Sequence, residues 1–290
     1  MLLSTQTREV FCHYGIDEGL KIFANAGYDA LDFSLYMQEY YDEKNKDFFA
    51  ETRKKAESLG LSFNQAHAPY HSSTTDENET KKRFSEITRA MEYASILGVK
   101  NIIVHPCQHL EYRTNKEKLF EINMDFYNRL KPYCEEFGIK VALENMWQYI
   151  ERKILRSTCA TPEELISYLD ELDERYFTAC LDLGHTFLVC EEPDEFIRKL
   201  GAKRLTALHV HDVDGINDLH TLPYFGLIDW DSVAHALADI DYKGDFTFES
   251  DGFLHGKVPE LYPEYERLMV KTGRYIIDKF NNYKNQEVTK

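Results

Sequence analysis

Six short apolar runs in this chain end in an acid or an imidazole: FNQAHAP in His67, NIIVHP in His105, VALEN in Glu144, ACLDLGH in Asp182 and His185, ALHVHD in His209 and His211, and FTFES in Glu249. Carboxylates and imidazoles hold divalent cations and exchange protons near neutral pH. Any one of them is equally well explained as an isolated polar residue where a buried strand meets solvent. Six together point to one shared site.

Glu144, Asp182, His209 and Glu249 form the core of this set, because they end four successive candidate strands. Mixed carboxylate and imidazole ligation suits Mn²⁺, Zn²⁺ or Co²⁺, and the lack of thiolates argues against a structural zinc. The acids alone would serve equally well as helix caps or arginine partners. His185 lies three residues beyond Asp182, past Gly184, and can reach either a metal or a substrate oxygen. His67 and His105 face the same mouth, as further ligands or as residues that orient a carboxylate. His211 shares a face with His209, since strand neighbours two apart point the same way, and either suits ligation. Asp218 and His220 follow in the segment HDVDGINDLHTLPYFGLIDW, which is either a solvated turn or a loop that closes over substrate. Among the aromatics Tyr14, Phe33, Tyr36, Tyr70, Trp147 and Phe225, stacking on a sugar is assigned to Trp147, three residues past Glu144. No Arg or Lys stands out as a phosphate clamp, which favours a non-phosphorylated substrate.

These residues need a scaffold that gathers strand ends. Apolar runs alternate with helical-period stretches along the whole chain, the pattern of a parallel sheet. The strand candidates are EVFCHYG, DALDFSL, LSFNQAHAP, NIIVHP, KVALEN, FTACLDLGH, LTALHVHD and DFTFES. Helix candidates include NETKKRFSEITRAMEYASILG and TPEELISYLDEL. Thr161 reads as an N-cap with Pro162 and Glu164 behind it, and Gly60, Gly98 and Gly138 as helix stops. Pro132 is expected to kink or split its helix. Eight such units in 290 residues fit a single (β/α)₈ TIM barrel, an α/β domain spanning 1–290 with 281–290 as a flexible tail. A doubly wound open sheet is the alternative, but it gathers ligands at one switch point, and neither GxGxxG nor GxxxxGK[ST] is present.

The balance of 34 basic and 50 acidic residues gives a formal charge of −16. Without a basic strip, that field opposes binding to a nucleic-acid backbone. No apolar stretch approaches the roughly 20 residues needed to span a bilayer, and the N-terminus lacks a leader pattern, so a cytoplasmic protein without a membrane partner is expected. Cys12, Cys107, Cys134, Cys159, Cys180 and Cys190 include no CxxC pair and favour buried free thiols over disulfides.

The motifs VALEN with Glu144, LDLGH with Asp182 and His185, LHVHD with His209 and Asp212, and FTFES with Glu249 resemble those of the xylose isomerase-like TIM barrels. That family includes sugar phosphate isomerases and epimerases, D-tagatose 3-epimerase-like enzymes, inosose dehydratases and endonuclease IV. The resemblance covers nearly the whole chain, and its motifs are specific for the superfamily but weakly specific for the reaction. By the spacing of a ligand histidine three residues before an acid, the resemblance implies that His209 rather than His211 is the metal ligand, with Asp212 as the acid. For epimerase-like members it implies a metal held by Glu144, Asp182, His209 and Glu249, with His185 on the substrate. Endonuclease IV uses three zinc ions, and this chain offers a candidate for every ligand type: His67, His105, Glu144, Asp182, His185, His209, Asp218, His220 and Glu249. One ion or a cluster therefore remains open.

The expected activity is a metal-dependent isomerase or epimerase acting on a small sugar or polyol through an enediolate, with Glu144 and Glu249 as acid and base. A dehydratase or lyase would use the same enolate. The reading from a different class is an endonuclease IV-like phosphodiesterase, and a third is a non-enzymatic sugar-sensing barrel. The expected partner is a small sugar. The family resemblance adds an expected homo-oligomer.

Overall fold

The computed structural model describes residues 1–37, 40 and 46–287. In chain order its elements are β1 (Leu3–Gln6), α1 (Arg8–Ala26), β2 (Ala30–Ser34), α2 (Lys46–Ser58), β3 (Ser62–His67), α3 (Glu77–Leu97), β4 (Asn101–Ile103), α4 (Tyr112–Phe137) and β5 (Lys140–Glu144). A hairpin follows, β6 (Trp147–Ile150) and β7 (Lys153–Arg156), and then α5 (Pro162–Glu171), β8 (Phe177–Asp182), α6 (Leu183–Leu188) and α7 (Pro193–Arg204). The chain continues through β9 (Leu205–His209), α8 (Trp230–Asp239), β10 (Phe246–Phe248) and α9 (Tyr262–Glu287).

Eight strands pair in parallel in the order β10-β1-β2-β3-β4-β5-β8-β9. The ring closes where the Val210 amide donates to the Thr247 carbonyl at 2.9 Å and the Glu249 amide donates to the Val210 carbonyl at 3.0 Å. This is an α/β TIM barrel, and parallel pairing puts every strand's C-terminal end at one mouth. Inside the barrel a small cluster of Ile103, Ala142, Cys180 and Ala207 forms an apolar plug. Burial on both faces of the sheet explains the near-continuous apolar runs.

Local chemistry sets the helix limits. Thr161 accepts from the Glu164 amide with Pro162 at the first helical position of α5, and Gly98 and Gly138 end α3 and α4 at φ of 87° and 63°. Three expectations need correction. EVFCHYG is not the first strand but part of α1, whose Val10, Phe11, Leu20 and Phe23 are buried at helical spacing. The real first strand is LSTQ, buried along its whole length because its polar groups are paired: the Ser4 hydroxyl donates to Asn64 Oδ1 at 2.8 Å. Pro132 does not interrupt α4, where the departure from helical backbone falls at Asn115. Buried Leu130 and Cys134 on either side of Pro132 keep that stretch packed. The segment 281–290, expected as a flexible tail, is helical as far as Glu287, and 288–290 lie outside the described residues. No helix among the described residues is long and apolar enough to cross a membrane.

Candidate metal centre

His67, His105, Glu144, His185, Asp218, His220 and Glu249 line one cavity of about 950 Å³, and Asp182, His209 and His211 are fully buried. Four groups of ligand-type atoms form around it, each with its atoms within 4.8 Å of one another. The first is His67, His105 and Glu144. The second is Glu144, Asp182, His209 and Glu249, the third is His185, His211, Asp218 and His220, and the fourth, His67, His209 and Glu249, overlaps the first two.

In the central group, Nδ1 of His209 lies 2.9 Å from Glu249 Oε2 and 3.2 Å from Glu144 Oε1. On the flank, His105 Nε2 lies 2.9 Å from Glu144 Oε2, and His67 Nε2 3.8 Å from the same oxygen. In the third group His220 Nε2 lies 3.1 Å from Asp218 Oδ2, and His185 Nε2 3.5 Å from it. The rings of His211 and His220 stack at 4.0 Å. His209 ends β9 and His211 lies beyond it, and the two belong to different groups.

The histidines are aimed by a common device. His67 Nδ1 donates to the Ala68 carbonyl at 2.9 Å, His185 Nδ1 to Asn145 at 3.0 Å, and His220 Nδ1 to Glu249 at 2.8 Å. A carbonyl accepts only, so Nδ1 carries the proton and an unprotonated Nε2 can face the cavity. This is how ligating imidazoles are ordinarily held. Asn145 also cross-links two strand ends, accepting from the Asp182 amide at 2.7 Å and donating to the Asp182 carbonyl at 3.0 Å.

Charge in the cluster suits a bound cation. Burial would raise Glu144, yet the imidazoles of His209 and His105 hold it well below the usual carboxylate range. Glu249 is held down against burial by His209 and His220. Burial opposes charge on His185, but Asp182 and Asp218 push it up to about 10. Buried carboxylates thus keep protons on imidazoles, while buried Asp218 Oδ1 has no hydrogen-bond partner. The donors therefore fit one or more divalent cations in chemistry and placement.

The remaining sequence candidates fall into two sets. Trp147 lines the cavity, and its indole donates to Asp218 Oδ2 at 3.2 Å. Tyr36 and Tyr70 also line it, whereas Phe33 is core and Phe225 is exposed on the outside. Asp212, the acid of the LHVHD motif, is fully buried away from the cluster. It accepts from the amides of Tyr224 at 3.0 Å and Ile228 at 3.1 Å and from the Trp230 indole at 2.8 Å, which folds back the loop carrying Asp218 and His220.

Sequence reasoning missed Asn145, Gln6 at the end of the true first strand and Arg8 just beyond it. Gln6 Nε2 donates to Glu249 Oε1 at 2.9 Å, and Arg8 lines the cavity. Placing the first strand at EVFCHYG hid both.

The sequence signature of the xylose isomerase-like TIM barrel matches residues 20–264, and the chain belongs to that family. A relative, the D-psicose 3-epimerase of Enterocloster bolteae, is 25% identical over 235 residues, covering 77% of this chain and 72% of that protein. A D-tagatose 3-epimerase-like protein of known structure has a TM-score of 0.76 at 21% identity, over 99% of this chain and 100% of its own. The IolI protein, whose structure contains a bound zinc atom, has a TM-score of 0.75 at 21% identity, over 98% and 99%.

Proposed function

We propose that the protein is a divalent-metal-dependent isomerase or epimerase of a small sugar or polyol derivative. The observation that carries this is the central group: Glu144 and Glu249 reach in from β5 and β10, and both close on His209 Nδ1. Glu144, Asp182, His209 and Glu249 would hold the ion. Bound there, it would supply Lewis acidity to adjacent hydroxyl and carbonyl oxygens and so acidify the C–H between them. The zinc of IolI and the named activity of the psicose epimerase support the assignment.

The chain's own residues account for the rest of the chemistry. Both glutamates are held ionised by neighbouring imidazoles, so either can take a proton from a substrate carbon and return it. Gln6 fixes Oε1 of Glu249, while Oε2 lies against His209 Nδ1. His185, held by the Asn145 carbonyl, would hold a substrate oxygen through Nε2. Trp147 offers an apolar ring face beside it, 6.2 Å from the His185 ring.

Solvent deuterium uptake tests the proposal. Metal-loaded protein incubated with a panel of ketoses in D₂O is expected to incorporate deuterium at a carbon beside the carbonyl. Absence of exchange on every ketose would overturn it. A dehydratase or lyase would show the same exchange together with loss of water.

The second reading, a phosphodiesterase, is favoured by neighbouring ligand groups that are linked through Glu144 and through the contact of Asp182 with His211. It implies a metal cluster rather than one ion, and cleavage of an abasic duplex abolished by His67→Ala or His220→Ala. The charge of −16 weighs against a DNA groove.

A further inference from the structure

Arg8 is the only Lys or Arg among the described residues that line the cavity, whose other charged walls include Glu111, Glu144, Asp218, Glu249 and Asp251. It opens α1 directly after β1, two residues beyond the Gln6 that holds Glu249, so its backbone is fixed by the barrel. Its guanidinium sits between two carboxylates without closing on either. Nη1 is 3.6 Å from Asp251 Oδ2, and Nε is 3.7 Å from Glu9 Oε1. Both separations exceed hydrogen-bond length, so the planar fork is steered by these acids while its donors stay available. His255 completes the corner, 3.4 Å from Glu9 Oε1.

Aromatic rings connect this corner to the ligand groups. The Arg8 guanidinium carbon is 5.9 Å from the centre of the Tyr36 ring, which lies 5.4 Å from His67. Tyr36 also lies 5.1 Å from Tyr70, which stacks on His105 at 5.3 Å. A molecule with its hydroxyls against Glu144 and Glu249 would pass these two rings and end at the guanidinium. A bidentate oxyanion is the chemistry that matches an Arg fork.

We infer that Arg8 determines specificity by receiving a terminal oxyanion, a phosphate or a carboxylate, on the substrate. The inference rests on the sugar isomerase reading and deepens it to an anionic sugar derivative. The simpler account is that Arg8 only neutralises Glu9 and Asp251.

Binding of three matched ketohexoses to metal-loaded protein, followed by calorimetry, decides between them. D-tagatose, D-tagatose 6-phosphate and D-tagaturonate differ in the terminal group alone: hydroxyl, phosphate or carboxylate. The wild type should bind one of the two anions at least about tenfold more tightly than the neutral sugar, and which one identifies the oxyanion. Arg8→Gln should then bind all three within about twofold of one another, and Arg8→Lys, which keeps the charge but not the fork, should retain part of the preference. A wild type without anion preference, one that binds none of the three, or an Arg8→Gln protein that keeps the wild-type order overturns the inference. Deuterium exchange on the same set keeps the two readings apart. Exchange without anion preference removes only the role of Arg8, whereas Arg8-dependent binding without exchange removes only the isomerase.

Discussion

Nε2 of His211 lies 3.0 Å from both carboxylate oxygens of Asp182. Asp182 belongs to the central ligand group and His211 to the outer one, so one carboxylate couples the two. Asp182→Asn is therefore expected to weaken metal binding in both groups, at least about tenfold, as loss of a ligand or its orienting partner commonly does. His211→Ala should weaken the outer group alone. Titration of metal-stripped protein with Co²⁺, followed by absorption, reads both. Wild-type affinity in Asp182→Asn would exclude it from the centre.

Glu144 and Glu249 both reach the cavity ionised, and both contact His209. If they exchange the substrate proton, Glu144→Gln and Glu249→Gln should each lower deuterium uptake by about 10² to 10⁴. Glu144 also touches His105 at 2.9 Å, so its loss should further reduce metal content at the first group. Purified Glu144→Gln with full metal and normal exchange would show that Glu144 neither binds nor transfers.

Much of this site was legible because a parallel barrel converts a sequence pattern directly into a place. VALEN, LDLGH, LHVHD and FTFES are buried runs that end near the mouth, which gathers Glu144, Asp182, His209 and Glu249, while Asp212 turns away to hold the following loop. What stayed hidden had local causes. LSTQ carries too little apolar character to read as a strand, because its polar side chains are paired inside the barrel, and with it went Gln6 and Arg8. The β6–β7 hairpin turns through Glu151 and Arg152 at φ of 50° and 64°, without the Gly or Asn that signals such turns. Whether His67, His185 and His220 face metal or only support it depends on carbonyls of residues 68, 145 and 249, which no spacing reveals.

The glycine of LDLGH has its own function in the outer group. A Cβ on Gly184 would stand 2.0 Å from Cε1 and 2.5 Å from Nδ1 of His211, a rigid ring already stacked on His220. Gly184→Ala must therefore displace His211. The expected result is lost metal at the outer group, read by the same Co²⁺ titration, with the Glu144 and Glu249 group retained. An unaltered titration would show that the outer group tolerates a shifted His211.

Far from the metal centre, Glu266 on α9 is buried and accepts from the Tyr28 hydroxyl at 2.8 Å. Burial pushes its carboxyl up to about 8, from an ordinary value of 4.5. Tyr28, itself raised by burial and by Glu266, keeps its proton across this range. A carboxyl raised in the folded state contributes stability that is fully present below the unfolded value of about 4.5 and is lost as pH rises through about 8. Within that window the native protein binds the extra proton, so stability falls with pH at up to about 1.4 kcal/mol per unit. Glu266→Gln keeps an acceptor for Tyr28 but cannot ionise. Urea denaturation at pH 6 and pH 9 should show the wild type losing about 2 to 3 kcal/mol more than the variant between the two values. Equal losses in the two proteins would mean that Glu266 is already ionised in the fold at pH 6.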